Sequence, residues 1–377
     1  MKTISKRQFL KIGLTGIGGF CFLRNSEAFE NLHYSLGDDL WKWSKEAFHY
    51  AVTPRGTKCL ICPNECTLKP GEVSTCKNRI NHNDKLYSIA YGNPSVVHVD
   101  PIEKKPLLHF LPNSYAYSIA TAGCNFACLN CQNWDISQTN PYKTNNIDLM
   151  PIKVVENCLA EECESIAYTY SEPISFYEYM FDTAKLAREK KIKNVLVSNG
   201  YINEKPLREL CKYIDAANIN LKSFSEDIYL RLNAGKLQPI LNTLKILKEE
   251  GVWLEITNLV VPSWTDDFDM IKQMCDWLVT NNLGNNPLHF LKFHPMYKLT
   301  QLPSTPLNTL QKAKEIALNA GCNHVYLGNV SDPDAMSVYC PKCKKVAVQR
   351  MGYKIVSNNI KNGSCTSCGE KLNGVWY

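Results

Sequence analysis

The sequence predicts an α/β fold, a full or partial (β/α) barrel with a four-cysteine region before it and a small metal-binding tail after it. Between Tyr117 and about Val330, short apolar runs alternate with amphipathic stretches, as in parallel strands joined by crossover helices. Six or more such repeats suit a barrel, whose chemistry lies at the carboxyl ends of the strands. Most of the 17 cysteines form clusters before, within and after the repeats.

Composition describes an ordinary globular protein, with 45% hydrophobic and 21% charged residues in a chain of 377. A chain of this length can bury a core without a disulfide framework, so metal binding explains the clustered cysteines better. The net charge of +6 is spread along the chain without a basic run, and we expect no nucleic-acid partner. The scattered cysteines are predicted to be small core residues: Cys21, Cys158, Cys163, Cys211, Cys275 and Cys322.

Residues 1–28 have the anatomy of a signal peptide. Basic residues precede an apolar run at 12–23, which is too short to span a bilayer, and a small-x-small cleavage site ends at Ala28. The stretch SKRQFLK resembles the twin-arginine translocation motif, with Lys6 in place of the first arginine. Export by that pathway is one prediction, and an uncleaved anchor or a vestigial leader is the alternative. Without export, we expect the protein in the cytoplasm.

Residues 29–115 form an N-terminal region with short strands and the first cysteine cluster. Its spacing is C-x2-C-x3-C-x9-C, from Cys59 through Cys62 and Cys66 to Cys76. Four thiolates make a closed site that suits a structural zinc ion. A [4Fe-4S] cluster also takes four cysteines and would give electrons a path to a second site, so both metals stay open.

Residues 116–335 form the predicted barrel core. Seven strand candidates run from YSIATAG at 117–123 to HVYLGNV at 324–330. In the last helical stretch Leu310, Ala313 and Ala317 fall on one face, and Gly251 and Gly321 stand where helices end.

Three cysteines with the spacing C-x3-C-x2-C follow the first core strand: Cys124, Cys128 and Cys131. Structural zinc sites and iron–sulfur clusters normally take four protein ligands, so a trio leaves one metal position open. The alternatives are a zinc site with a distant fourth ligand, or reactive thiols.

This trio resembles that of the radical SAM superfamily. The resemblance implies that the three thiolates hold a [4Fe-4S] cluster whose fourth iron binds S-adenosylmethionine (SAM). It also implies that one electron cleaves SAM reductively to a 5′-deoxyadenosyl radical, which requires a low-potential electron donor. Asn130 stands where the family usually has an aromatic residue beside the adenine.

Further motifs follow the family's order along the barrel. In YTYSEP, Glu172 matches the acidic residue that binds the SAM ammonium group, while Tyr170 and Ser171 replace two glycines. VSNG and INLKSF resemble motifs of glycyl-radical-enzyme activases, and this assigns SAM contacts to Ser198, Asn199 and Lys222.

A closer resemblance, through CLICPNEC, DPIEKKPLLHFLP, GCNFACLNCQNW and YLGNV, is to the radical SAM enzyme of the AmmeMemoRadiSam system. That group is related to pyruvate formate-lyase activating enzymes and implies Memo-like and AMMECR-like partners. The substrate is then a partner protein or, alternatively, a small molecule. The competing function is a non-catalytic metal-binding or electron-transfer protein.

Residues 336–377 form a tail with two C-x2-C pairs separated by 21 residues: Cys340 and Cys343, then Cys365 and Cys368. This spacing predicts a zinc-ribbon or rubredoxin-like module, with zinc favoured over iron. Loss of the metal is expected to unfold the tail without unfolding the barrel.

Overall fold

Two small antiparallel sheets precede the main sheet in the structure, a computed structural model that describes residues 40–332 and 334–376. The predicted signal at residues 1–28 lies outside the described residues. One sheet has the order β1-β6-β5 and the other the order β2-β3-β4. The strands are β1 (Lys45–Glu46), β2 (Tyr50–Thr53), β3 (Gly56–Cys59), β4 (Thr67–Leu68), β5 (Arg79–His82) and β6 (Lys85–Ser88).

The main sheet has eight strands that lie side by side in chain order. The first pairs antiparallel with the second, and all later neighbours are parallel. These strands are β7 (Val96–Pro101), β8 (Tyr115–Ala120), β9 (Ser165–Tyr168), β10 (Lys193–Ser198), β11 (Ala216–Asn220), β12 (Trp253–Val260), β13 (Leu288–Lys292) and β14 (Val325–Gly328). The predicted α/β fold is confirmed. Because β7 and β14 lie at opposite edges, the barrel is partial.

Helices connect the parallel strands, and the buried faces of the longer ones pack against the sheet. They are α1 (Trp134–Ser137), α2 (Pro151–Ala160), α3 (Tyr177–Glu189), α4 (Glu204–Cys211), α5 (Glu226–Ile228), α6 (Leu237–Glu249), α7 (Phe268–Thr280) and α8 (Leu307–Ala320). A π-helical turn, Tyr229–Asn233, follows α5. Among the described helices, none is long and apolar enough to cross a bilayer.

Two glycines end helices as predicted. Gly251 follows α6 with a φ of 73°, and Gly321 follows α8 with a φ of 104°. The amide after each glycine bonds back to the helix, Val252 to the Leu247 carbonyl and Cys322 to the Ala317 carbonyl, both at 3.0 Å. This pattern satisfies carbonyls that the last helical turn leaves free.

The inner side of the sheet is filled by the segment 102–111, hereafter the plug. The residues of four successive strands that face it are short, Ala116, Ala167, Val195 and Ala216, and leave room for it. Leu107 and Phe110 of the plug pack against these alanines and are fully buried. The plug therefore closes the amino-terminal end of the partial barrel and leaves the carboxyl end open.

The tail forms a three-stranded sheet and a short hairpin. Its strands are β15 (Val338–Tyr339), β16 (Val346–Met351), β17 (Lys354–Asn358), β18 (Ile360–Lys361) and β19 (Ser364–Cys365). Arg350 on β16 is 1% exposed; it donates to the Leu108 carbonyl at 2.7 Å and lies 3.4 Å from the Glu103 carboxylate. A buried ion pair thus links the tail to the plug.

Candidate functional site

One cavity of about 530 Å³ lies at the carboxyl ends of the parallel strands. Loops that follow parallel strands meet at one end of the sheet, so residues distant in sequence converge there. All eight residues predicted to bind the cluster or SAM line this cavity: Cys124, Cys128, Asn130, Cys131, Glu172, Ser198, Asn199 and Lys222.

The loop that carries the cysteine trio, residues 121–133, is held in place from two sides; we call it the radical loop. Its backbone amides at Ala127 and Leu129 donate to the carbonyls of Asn233 and Leu232, at 3.0 and 2.9 Å. Gly123 has a φ of 96°, and a Cβ atom there would lie 2.5 Å from the Cys76 carbonyl oxygen. The close approach to the N-terminal region therefore requires glycine at this position.

The trio provides sulfur ligands in a largely buried setting. The Cys128 sulfur accepts a hydrogen bond from the Asn233 side chain at 3.3 Å, and the Cys124 sulfur accepts one from the Phe126 amide at 3.4 Å. Burial raises the pKa of Cys124 well above its ordinary value and also raises the pKa of Cys131. Thiolates in this position are stable when a cation binds them.

Glu172 lies in the loop that follows β9, lines the same cavity and is 3% exposed. Its carboxylate accepts hydrogen bonds from the Ser198 hydroxyl at 2.7 Å, the Asn199 amide at 2.8 Å and the Ile174 amide at 3.1 Å. Burial raises its pKa, and these bonds act in the opposite direction. The bonds fix the carboxylate at the cavity wall and leave lone pairs for a further donor.

Two of the predicted SAM contacts have structural partners of their own. The Ser198 hydroxyl donates to Glu172, and the Asn199 side-chain amide donates to the Asn125 side chain at 2.8 Å. Asn125 belongs to the radical loop and donates in turn to the Tyr201 carbonyl at 2.9 Å. These bonds join the end of β10 to the radical loop.

Lys222 differs from these residues because its ammonium group makes no ion pair within the described part of the chain. It lies half-buried at the cavity, and its charge acts to lower the pKa values of Cys131 and Glu172. An unpaired cation in a partly buried site is suited to bind an anionic group.

A second charged cluster at this cavity was not assigned by the sequence analysis. Lys105 of the plug is 1% exposed; its ammonium donates to Asp100 at 2.6 Å and lies 4.4 Å above the Tyr170 ring. Lys104 also donates to Asp100 at 2.6 Å, and the Tyr170 hydroxyl completes the cluster. Burial lowers the pKa of Lys105 to about 8. The sequence feature that could have indicated this cluster is the pair of adjacent lysines in DPIEKKPLLHF.

Tyr170 occupies the place of the first family glycine and keeps a left-handed backbone, with a φ of 62°. This conformation is rare for an aromatic residue and carries strain. The Asn133 side chain donates to the Tyr170 carbonyl at 2.8 Å, which holds the strained residue against the radical loop.

The floor of the cavity is a buried polar network around Glu255, which is fully buried. Its carboxylate accepts hydrogen bonds from the Leu108 and His109 amides at 3.0 and 2.8 Å, and His289 lies 2.7 Å away. The His109 ring contacts the Tyr326 hydroxyl at 2.6 Å, and burial lowers the pKa of His109 to about 3. These bonds attach the plug to β12, β13 and β14.

The tail cysteines have the spacing of a single-ion site. The sulfurs of Cys340 and Cys368 lie 3.6 Å apart and those of Cys343 and Cys365 lie 3.8 Å apart. Four sulfurs around one zinc ion, each about 2.3 Å from it, lie about 3.8 Å from one another. Lys344 and Gly369, which follow the two C-x2-C pairs, both have a positive φ, so the two turns share one backbone form.

The N-terminal four-cysteine group lies beside the radical loop. The Cys59 amide donates to the Cys66 carbonyl at 2.9 Å, which folds this stretch back on itself. Burial raises the pKa of Cys62 above the ordinary range, and the charges of Cys76, Cys59 and Cys66 nearby raise it further. Across residues 40–332 and 334–376, only the tail group brings three or more potential ligand atoms within 4.8 Å of one another.

Similarity to known proteins was found along most of the chain. The family model of the radical SAM superfamily matches residues 118–278. The "Uncharacterized protein MJ0808" of Methanocaldococcus jannaschii is 41% identical over 331 residues, which cover 87% of this chain and 98% of that protein. The pyruvate formate-lyase 1-activating enzyme of Escherichia coli is 23% identical over 210 residues, 52% of this chain and 85% of that enzyme.

Among solved structures, a domain of a pyruvate-formate lyase-activating enzyme from Bacteroides vulgatus is 16% identical, with a TM-score of 0.39. The match covers 44% of this chain and 99% of that domain. SuiB from Streptococcus suis, bound to S-adenosylmethionine, is 17% identical with a TM-score of 0.43, over 60% of this chain and 53% of that protein.

Proposed function

This chain belongs to the radical SAM superfamily, and we propose that it is an enzyme that binds a [4Fe-4S] cluster through Cys124, Cys128 and Cys131. When bound, such a cluster supplies one electron that cleaves SAM into methionine and a 5′-deoxyadenosyl radical. The observation that carries the proposal is the three cysteine sulfurs, without a fourth cysteine, on the wall of a cavity of about 530 Å³.

The residues of this site fit the cluster. The trio sulfurs line one cavity wall but are not gathered within the 4.8 Å that marks the tail site, as expected when each sulfur binds a different iron atom. Buried donors at Asn233 and Phe126 reach two of the sulfurs, and hydrogen bonds to sulfur tune the potential of iron–sulfur clusters.

The chain's own residues would orient SAM from two sides. Lys222 offers an unpaired ammonium for the methionine carboxylate, and Glu172 offers a fixed carboxylate for the amino group. Asn130 lies at the cavity edge, where its backbone could contact the adenine without a stacking ring.

For the substrate we propose a partner protein, which the enzyme would activate or modify. The support is the similarity to the pyruvate formate-lyase 1-activating enzyme and to the 4-hydroxyphenylacetate decarboxylase activating enzyme of Clostridium scatologenes, at 23% and 22% identity. Memo-like and AMMECR-like partners, and membership of the AmmeMemoRadiSam group, rest on the sequence motifs and remain predictions. A small-molecule substrate is the alternative within the same chemistry.

In the tail we propose a structural zinc ion bound by Cys340, Cys343, Cys365 and Cys368. Its support is the sulfur spacing, which matches one tetrahedral ion. Iron in the same four sulfurs is the alternative, and metal analysis of purified protein distinguishes the two.

The proposed function is tested by incubating anaerobically reconstituted protein with SAM and dithionite. We expect 5′-deoxyadenosine and methionine in equal amounts, and neither product from the variant in which Cys124, Cys128 and Cys131 are replaced by Ala. A variant with Cys158 and Cys163 replaced by Ser is the matched control, because these buried cysteines lie outside the cavity. A reconstituted protein that retains its cluster and leaves SAM intact would instead support an electron-transfer protein.

A further inference from the structure

The four-cysteine group of the N-terminal region has sulfur ligands for a second metal centre. The sequence alone favours zinc there and leaves an iron–sulfur cluster as the alternative. The tail provides an internal reference for zinc, because its four sulfurs lie within 4.8 Å of one another. The trio of the radical loop provides a reference for a cluster. Among the described residues, the N-terminal group resembles the trio, because it is not gathered at single-ion spacing.

The four thiols nevertheless converge on one place. Cys59 and Cys66 are joined by the backbone hydrogen bond of 2.9 Å, and the Glu65 amide bonds back to the Cys62 carbonyl at 3.0 Å. Cys59 and Cys76 are 6% and 8% exposed. Convergence without close sulfur contact is the arrangement that a four-iron cluster requires, because each thiolate binds a separate iron.

Hydroxyl groups lie next to two of these sulfurs. The Thr75 hydroxyl is 3.4 Å from the Cys66 sulfur, and the Ser74 hydroxyl is 3.1 Å from the Cys76 sulfur. Outer hydrogen bonds of this kind orient sulfur ligands and adjust the potential of a cluster.

A buried arginine supports a negatively charged centre at the same place. Arg79 is 1% exposed; its Nη1 donates to Glu178, and its Nη2 has no hydrogen-bond partner. The charges of Cys59 and Cys76 act on this guanidinium group. A buried donor without a partner is costly, and a cluster bound by four thiolates offers negatively charged sulfur acceptors for it.

The group lies directly against the radical loop. The Asn64 side chain, two residues after Cys62, donates to the Asn125 carbonyl at 2.9 Å. The Asn78 side chain, two residues after Cys76, donates to the Ala122 carbonyl at 2.7 Å. Both acceptors are within two residues of Cys124, so metal centres in the two groups would be neighbours.

We propose that Cys59, Cys62, Cys66 and Cys76 bind a second, fully ligated [4Fe-4S] cluster that exchanges electrons with the cluster of the radical loop. The step takes one electron from a low-potential one-electron donor such as dithionite and passes it on. No bond forms or breaks, and no proton is transferred.

The test uses the full chain with Cys124, Cys128 and Cys131 replaced by Ala, hereafter the trio variant. The protein is purified anaerobically and reconstituted with iron and sulfide. We expect about four irons and four sulfides per chain, and an electron paramagnetic resonance (EPR) signal after reduction that SAM does not change. Zinc, or no metal, in place of this iron would overturn the proposal. Replacing Cys62 and Cys66 by Ser in the trio variant should remove the remaining iron, whereas replacing Cys158 and Cys163 should not.

If the trio variant does not fold, the iron content and the EPR spectrum of the reconstituted wild-type protein test the proposal instead. About eight irons with two distinct reduced signals support the second cluster, and about four irons overturn it. The result is independent of the proposed function, because wild-type protein that holds about eight irons but leaves SAM intact would contradict that function alone.

Discussion

Tyr170 shows how a single residue can depart from a family motif while the backbone keeps its form. The position retains the left-handed conformation that glycine adopts freely, and the new side chain reaches Asp100 and Lys105. The strain is balanced by contacts with the radical loop and the plug. Tyr170 and Lys105 thus line the same cavity as the residues proposed to bind SAM, without belonging to that set.

At the residue scale, Lys222 provides the sharpest test of SAM orientation. Replacing Lys222 with Met should weaken SAM binding about 10- to 100-fold, because a charge-assisted hydrogen bond contributes about 1.5–3 kcal/mol. Equilibrium binding of SAM to the reconstituted protein measures this change. The control is Lys248→Met, an exposed lysine at the end of α6, and equal SAM affinity in both variants would contradict the assigned role.

Sequence reasoning identified the residues whose spacing carries the chemistry and missed those that only the fold brings together. Cys124, Cys128 and Cys131 stand within eight residues, so their pattern is visible in the chain. Tyr170 lies 70 positions from Asp100 and 65 from Lys105. No local pattern predicts that contact, because it depends on where the plug crosses the barrel.

At the scale of the element, the plug determines the depth of the cavity. Its position follows from ordinary alanines on the inner side of the sheet, which make room without a signal of their own. The strands themselves were predictable because apolar runs mark parallel strands buried on both faces. The position of the plug was not predictable, because the sequence of residues 102–111 has neither helical nor strand periodicity.

Replacing Glu255 with Gln should destabilise the protein by about 3 kcal/mol. The carboxylate accepts bonds from four donors, including the Trp253 ring nitrogen at 3.1 Å, and an amide would turn an NH2 group toward some of them. Urea unfolding of the metal-loaded protein measures the loss. The control Glu250→Gln removes a surface ion pair with Arg208 and should cost less than about 1 kcal/mol; a similar cost for both would contradict the role of the network.

The same carboxylate predicts a pH dependence. Burial acts to raise the pKa of Glu255, but the hydrogen bond from His289 and its neighbours holds the pKa below the ordinary value of 4.5. A lowered folded-state pKa means that the charge contributes stability above pH 4.5, and that this contribution is lost as the pH falls through the folded-state pKa. The stability difference between wild type and Glu255→Gln should therefore shrink below pH 4.5, and a difference that grows there would contradict this sign.

The tail is a separate element whose folding depends on its metal. Replacing Cys343 and Cys368 with Ser removes one ligand from each C-x2-C pair, and metal binding provides much of the folding energy of such modules. Hydrogen exchange should become fast in β15–β19 while β8–β13 stay protected. Lys342→Ser, in the same loop, is the control; unchanged exchange in the tail of the double variant would contradict a structural metal.

For the whole molecule, the fold places the three cysteine groups in three separate surroundings. The trio stands at the carboxyl end of the strands, the N-terminal group packs against the radical loop, and the tail is bonded to the plug through Arg350. The sequential strand order was predictable from the alternation of strands and helices. Whether the barrel is open or closed was not predictable from the sequence. Closure depends on whether the first and last strands meet, and here β7 extends one edge of the sheet.

The central claim is that the cluster of the radical loop keeps one iron without a protein ligand, so that SAM can bind there. The most direct measurement is electron–nuclear double resonance of the dithionite-reduced protein with SAM labelled with nitrogen-15 at its amino group. The account predicts a hyperfine coupling between the label and the cluster, which disappears in the variant with Cys124, Cys128 and Cys131 replaced by Ala. A reduced cluster in the wild-type trio that shows no coupling to the labelled nitrogen would contradict it.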